Sequence, residues 1–127
     1  KRLYLKVADL AAQNEKPVVP SNASVKEVII EITKNRLGAV AVVDHGILKG
    51  IITDGDIRRM LNKNSTIEGL CAADIMTSSP KYIDENELAV NALEILRENN
   101  ITQILVGTGT KFEGFIHLHD LLKEGII

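Results

Sequence analysis

Hydrophobic residues in this chain follow two periods, one after the other, and then do so again. Val25, Val28, Ile29 and Ile32 recur at three- and four-residue spacing, which predicts a helix face. Ser24 stands just before them as a cap, and the helix is expected to run to about Arg36. The run AVAVVD at 39–44 is short and rich in valine and predicts a buried strand. DHG at 44–46 predicts a hairpin turn, ILKGIIT at 47–53 the return strand, and the polar-apolar mix after it a helix from about Asp54 to Asn62. PVVP at 17–20 predicts a short extended piece, because a proline at each end keeps it from growing. The second half reads alike: strand 81–83, helix 86–99, strand 103–107, a TGT turn at 108–110, strand 111–117 and helix 118–124. Asp84, Glu85 and Glu87 are expected to be an acidic first turn of the 86–99 helix. The polar stretch NKNSTIEGL at 62–70 reads as the connector.

The likeness of the halves is a repeat. A shift of 64 residues overlays Asn35 on Asn99, Val42 on Val106, Gly50 on Gly114 and Asp56 on Asp120. It also overlays the apolar pairs Ile32 and Leu96, Val40 and Ile104, Ile52 and Ile116, Ile57 and Leu121. Nearer the start of each copy the shift is 65, where Asp9-Leu10 meets Asp74-Ile75. Two copies are too few for a solenoid, and each is too short to bury a good core alone. The expected fold is therefore α/β: two pseudo-twofold-related β-α-β-β-α units sharing a core, divided at 1–63 and 64–127.

Composition narrows the function. The chain is 45% hydrophobic and 25% charged, with a net charge of −2, so it has no broad electrostatic attraction to nucleic acid or to an anionic membrane. Aromatics are 3%, which also removes the stacking platforms that hold single strands. Cys71 is the one cysteine, so no internal disulfide forms and a reducing setting fits best. No apolar run approaches the roughly 18–20 residues of a membrane span. The start at Lys1-Arg2-Leu3, without Met, gives the expectation of an excised part of a longer protein whose catalytic portion lies elsewhere.

The candidate chemistry sits at IITDGDIRRM, residues 51–60. Thr53 and Asp56 are three apart where strand becomes helix, with Asp54 between them. One reading is a capping box, in which the Thr53 hydroxyl accepts from the Asp56 amide and the carboxylate reaches back to the Thr53 amide. The other is a ligand site: a hydroxyl and a carboxylate suit a vicinal diol such as a ribose, and helix-start amides suit a phosphate. Arg58 and Arg59 either add charge-assisted contacts or line a solvated face. The related stretch FIHLHDLLKE at 115–124 keeps Asp120 but carries His117 where the first copy has Thr53. His117 and His119, two apart, face the same way if the segment is extended. A metal needs a third or fourth ligand, and His45 lies in a distant turn, so a polar, pH-sensitive ligand contact is the expectation. Glycines in VGTGTK lack the GK[ST] of a phosphate loop and read as a hairpin, and Cys71 has no evident base. No nucleophile, base and orienting residue recur together, so neither a catalytic residue nor a cofactor or metal is expected.

The doubled unit closing on GIITDGDI at 50–57 resembles the CBS (cystathionine β-synthase) domain, whose tandem pairs form Bateman modules. The resemblance implies that Thr53 and Asp56 hold the ribose of an adenine nucleotide in a cleft between the copies. In the second copy only Asp120 matches. LGAVAVVDHGILKGIITDGDIRRML, AADIMT at 72–77 and HLHDLLKEG are similar to the C-terminal CBS pair of bacterial arabinose-5-phosphate isomerases, the KpsF/GutQ group. That resemblance implies an N-terminal sugar isomerase (SIS) domain interconverting ribulose 5-phosphate and arabinose 5-phosphate for the Kdo of lipopolysaccharide. It also implies a cytoplasmic, tetrameric parent built from dimers of CBS pairs. Nucleotide-binding members often carry a basic residue before the central strand; here those positions are Gly38-Ala39 and Thr102-Gln103, which points to a differently shaped effector such as a sugar nucleotide. The leading expectation is a regulatory module whose small-molecule effector touches Thr53, Asp54, Asp56, Arg58, Arg59, His117, His119 and Asp120. The alternative is an oligomerisation module with a vestigial cleft, in which Ile57, Met60, Leu61, Leu121 and Leu122 bury against a second copy.

Overall fold

A computed structural model describes residues 4–126. In chain order the elements are α1 (Val7–Ala11), β1 (Val18–Val19), α2 (Val25–Lys34), β2 (Ala39–Asp44), β3 (Ile47–Thr53), α3 (Asp54–Lys63), α4 (Ala72–Ile75), β4 (Tyr82–Ile83), α5 (Ala89–Asn99), β5 (Gln103–Thr108), β6 (Lys111–His117) and α6 (Leu118–Lys123). They build two three-stranded sheets of order β1-β2-β3 and β4-β5-β6, so the chain is mixed α/β. In each sheet the first pair is parallel and the second is an antiparallel hairpin. Both hairpins slip register at the same place, between Val42 and Val43 and between Val106 and Gly107. The Gly107 slip leaves no room for a side chain, because a Cβ there would lie 2.2 Å from the carbonyl oxygen of Lys111. That glycine of VGTGTK is thus a bulge residue, and the first hairpin turns on His45 and Gly46, both at positive φ.

Two compact units result, and they cut the chain differently from the repeats. One is Lys16–Pro80; the other joins the described residues up to Glu15 to those from Lys81 on. Hydrogen bonding gives the reason. The first amides of a helix have no partner inside it. In α1, the amides of Val7 and Ala8 donate to the carbonyls of Glu87 and Glu85, and Ala89 N–H donates to Leu5 O at 2.8 Å. In α4, the amides of Ala72 and Ala73 donate to Ala23 O and Ser21 O at 2.8 and 2.9 Å. Each short lead-in helix is therefore completed by the other repeat.

The same bonds move a helix boundary. Helix α5 starts at Ala89, with Leu88 as its cap and no acid in its first turn. Asp84, Glu85 and Glu87 precede it instead: Asp84 Oδ1 accepts from the Asn86 amide at 2.8 Å in a tight turn, and the next carbonyls receive α1. Helix α2 begins on Ser24 as expected, through a reciprocal box with Glu27. The repeated asparagines close helix ends: Asn35 and Asn99 each donate from Nδ2 to the carbonyl four residues back, Glu31 and Ile95, at 2.8 Å.

Each unit carries its own apolar cluster. Val28, Ile32, Val40, Val42, Ile52 and Ala72 lead the first. Val7, Leu10, Leu96, Ile104, Ile116 and Leu121 lead the second, so both lead-in helices supply core residues. Met60 and Leu121 are buried within their units and Ile57 packs against the first cluster, which corrects the expectation that they wait for a second copy; Leu61 and Leu122 stay exposed. No helix among the described residues is long and apolar enough to cross a membrane.

Candidate functional site

In the unit of residues 16–80, pairing of β3 against β2 sets Thr53 opposite Ala39 at the end of the sheet, and α3 starts on the next residue. The capping reading is realised. Asp56 Oδ2 accepts from the Thr53 amide at 2.9 Å, and Thr53 Oγ1 accepts from the Asp56 amide at 3.3 Å. The Thr53 hydroxyl also donates to Oδ2 at 3.2 Å. Oδ1 faces the other way, accepting from the Arg59 guanidinium at 2.6 Å and from the Thr77 hydroxyl at 3.3 Å. A carboxylate offers about four acceptor positions, and these four donors fill them. Asp56 is 7% exposed, the one buried charged side chain among the described residues.

The rest of this stretch divides. Arg59 is an ion-pair partner although its side chain is 66% exposed. Arg58 and Asp54 are exposed and make no side-chain hydrogen bond or ion pair among the described residues, which is the solvated-face reading. A cavity of about 290 Å³ opens beside Asp56 and Arg59, lined further by Met60, Lys63, Asp74 and Ile75. Asp74 accepts from the Cys71 amide at 2.8 Å, and that bond holds its carboxyl below the ordinary carboxylate value.

In the other unit the second copy repeats the plan with changed chemistry. Asp120 Oδ2 accepts from the His117 amide at 2.8 Å. His117 Nδ1 takes the place of the threonine hydroxyl and accepts from the His119 amide at 3.1 Å, which requires that nitrogen to be unprotonated. The two imidazoles stack with centroids 4.6 Å apart and planes 16° from parallel. His117 is the cap and His119 lies inside α6, so they meet by ring stacking across a helix start and not along one side of an extended segment. No group of three or more His, Cys, Asp or Glu that could hold a metal occurs among the described residues.

Two residues outside the expected site complete these ends. Thr77 bridges to β3 from outside it: its backbone exchanges hydrogen bonds with Ile51 at 2.8 and 3.0 Å while its hydroxyl reaches Asp56. Gly50 permits this approach, since a Cβ there would lie 2.5 Å from Thr77 O. In the other unit Asn14 does both tasks with one amide group, donating from Nδ2 to Phe115 O at 3.0 Å and to Asp120 Oδ2 at 2.8 Å. Phe115 is the repeat counterpart of Ile51 and Asp120 of Asp56. Oδ1 of Asp120 takes no hydrogen bond among the described residues. The motif AADIMT ends on Thr77, whereas Asn14 has no counterpart at its repeat position and left no signal.

The family model described as CBS domain matches twice, over residues 7–63 and 72–126. The arabinose 5-phosphate isomerase KdsD of Yersinia pestis is 34% identical over 129 aligned positions, covering all of this chain and 39% of that protein. The chain thus spans about two fifths of the length of the curated relatives it matches. Among solved structures, the CBS domain NE2398 superposes with a TM-score of 0.84 at 22% identity, covering 96% of this chain and 98% of that one. The CBS domain pair of protein MJ0100, solved with 5′-methylthioadenosine and S-adenosyl-L-methionine, gives 0.78 at 28% identity, covering 98% and 99%.

Proposed function

This chain belongs to the CBS-domain family as a tandem pair of domains, and from that premise we propose that it is a regulatory module that binds a nucleotide or sugar nucleotide. The observation that carries the reading is one helix start built twice, with a carboxylate, Asp56 or Asp120, capping each. A sugar diol suits such a carboxylate, and Arg59 supplies a positive group within reach for an anionic one. His117 and His119 offer ring nitrogens and stacked faces where the first copy has a hydroxyl, so the two ends are expected to differ in affinity. The 28% identical MJ0100 pair holds adenosyl compounds, which supports an adenosine-like ligand.

The longer protein is proposed to be an arabinose-5-phosphate isomerase, after the KdsD relatives. On this reading the pair reports effector levels to an N-terminal SIS domain within a bacterial, cytoplasmic homo-oligomer that serves Kdo and lipopolysaccharide synthesis. Calorimetric titration with AMP, ATP, CMP and CMP-Kdo tests the binding claim: saturable heat with one of them is expected, and silence from all four removes it.

A second reading has its own support. All four acceptor positions of Asp56 are filled from within its unit, which suits a structural residue, and Leu61 and Leu122 are exposed on α3 and α6. An oligomerisation module with an unused site would show a ligand-indifferent dimer in sedimentation. The regulatory reading expects the sedimentation profile to change with ligand.

A further inference from the structure

The chain passes from one unit to the other at two points, between Glu15 and Lys16 and between Pro80 and Lys81. Just before each point stands a side chain hydrogen-bonded to a motif carboxylate: Asn14 to Asp120, and Thr77 to Asp56. The two arrangements are built from different chemistry. The first uses a single amide group for the strand carbonyl and the carboxylate; the second uses a backbone bridge and a hydroxyl. Different residues reaching the same two acceptors, Phe115 O or Ile51 O and the aspartate, show that the connection is the constant feature.

We propose that Asp56 and Asp120 are clamps on the two crossovers, held through Thr77 and Asn14 as positioning residues, and that at Asp56 ligand occupancy is converted into freedom of the crossover. Asp56 makes the case most clearly. Its acceptor positions are full, so a ligand hydroxyl donating to Oδ1 displaces the Thr77 hydroxyl or the Arg59 guanidinium. Arg59 is free to follow an anionic group of the ligand, which leaves the 3.3 Å bond from Thr77 as the weaker hold. Four residues lie between Thr77 and the first residue of β4, and three between Asn14 and the first of β1, so released slack appears at once in the crossover. The displacement step rests on the proposed ligand site; the clamp itself does not.

The test therefore has a ligand-free arm. Backbone order parameters from ¹⁵N relaxation on the whole 127-residue chain read residues 78, 79 and 81 in Thr77→Val and residues 15 and 16 in Asn14→Ala. Wild-type values near about 0.85 are expected to fall toward about 0.6. The fall is larger in Asn14→Ala, which loses two bonds, and Thr77→Ser restores the wild-type value. Unchanged order parameters in both variants overturn the clamp, and unchanged spectra elsewhere show that the variants are folded. Adenosine supplies the second arm. Tighter binding by Thr77→Val than by wild type, by about three- to tenfold, supports displacement, whereas equal or weaker binding overturns it. If adenosine, AMP, ATP, CMP and CMP-Kdo bind neither protein, the proposed function fails while the relaxation arm still decides the clamp.

Discussion

Arg59 holds Asp56 at 2.6 Å from a side chain that is 66% exposed, while the carboxylate it holds is 7% exposed. The pair is thus unequal. The arginine can leave into solvent at small cost, and the aspartate cannot, because the Thr53 amide, the Thr53 hydroxyl and Thr77 depend on it. Asp56→Ala is expected to cost about 2 kcal/mol, between a lost cap and a broken buried pair. Arg59→Gln is expected to cost no more than about 1 kcal/mol, since exposed pairs contribute little. Urea denaturation of both variants checks the inequality, and equal losses would count against it.

The short third and sixth helices separate core from surface. Met60→Ala and Leu121→Ala remove buried side chains and are expected to cost about 2–5 kcal/mol each. Leu61→Ala and Leu122→Ala are expected to stay within about 0.5 kcal/mol for the isolated chain. A larger loss in either of the latter variants that shrinks as the protein is diluted would reveal a second copy against that side chain.

How much of this was legible in sequence depends on where each hydrogen bond closes. The strands 39–44 and 47–53 and the return strand 111–117 are legible to the residue, because a short apolar run and its turn chemistry are local. Ser24 and Thr53 were readable as caps for the same reason. Helices α1 and α4 were missed: they have five and four residues, too few for a periodic pattern. Their first amides are satisfied by carbonyls in the other repeat. The acids at 84–87 read locally as a first helical turn, and they stand outside the helix because the carbonyls around them accept from α1, far away in the chain. Asn14 was invisible for a related reason: it substitutes for a threonine that is not its repeat counterpart.

Gly50 stands under the Thr77 carbonyl, and its meaning in the repeat is close approach. Gly50→Ala places a methyl 2.5 Å from Thr77 O. The expected cost is about 1–3 kcal/mol, with faster amide exchange at Ile51 and Thr77, whose bridge must open. Wild-type exchange at those two amides would contradict the packing.

Acid sensitivity follows from two carboxylates, one half-buried and one exposed. Asp44 is held below its ordinary value by hydrogen bonds from the Ser21 side chain and amide, and Asp74 by those of Cys71. A carboxylate lowered in the folded state stabilises the fold above its unfolded value, and that contribution fades as pH falls through the folded value. Between about pH 5 and pH 2, wild type is therefore expected to lose stability more steeply than the Asp44→Asn and Asp74→Asn variants. Parallel curves from stability measurements across that range would show that these bonds do not distinguish folded from unfolded chain.

The proposed ligand site is reached most directly by amide chemical-shift mapping of the intact chain during titration with AMP. The account predicts saturable shifts centred on residues 53–56 and 117–120, with Thr77 and Asn14 moving alongside, and their loss at the first end in Asp56→Asn. Saturable shifts centred elsewhere, or none with AMP, ATP, CMP and CMP-Kdo each taken to millimolar concentration, would contradict it.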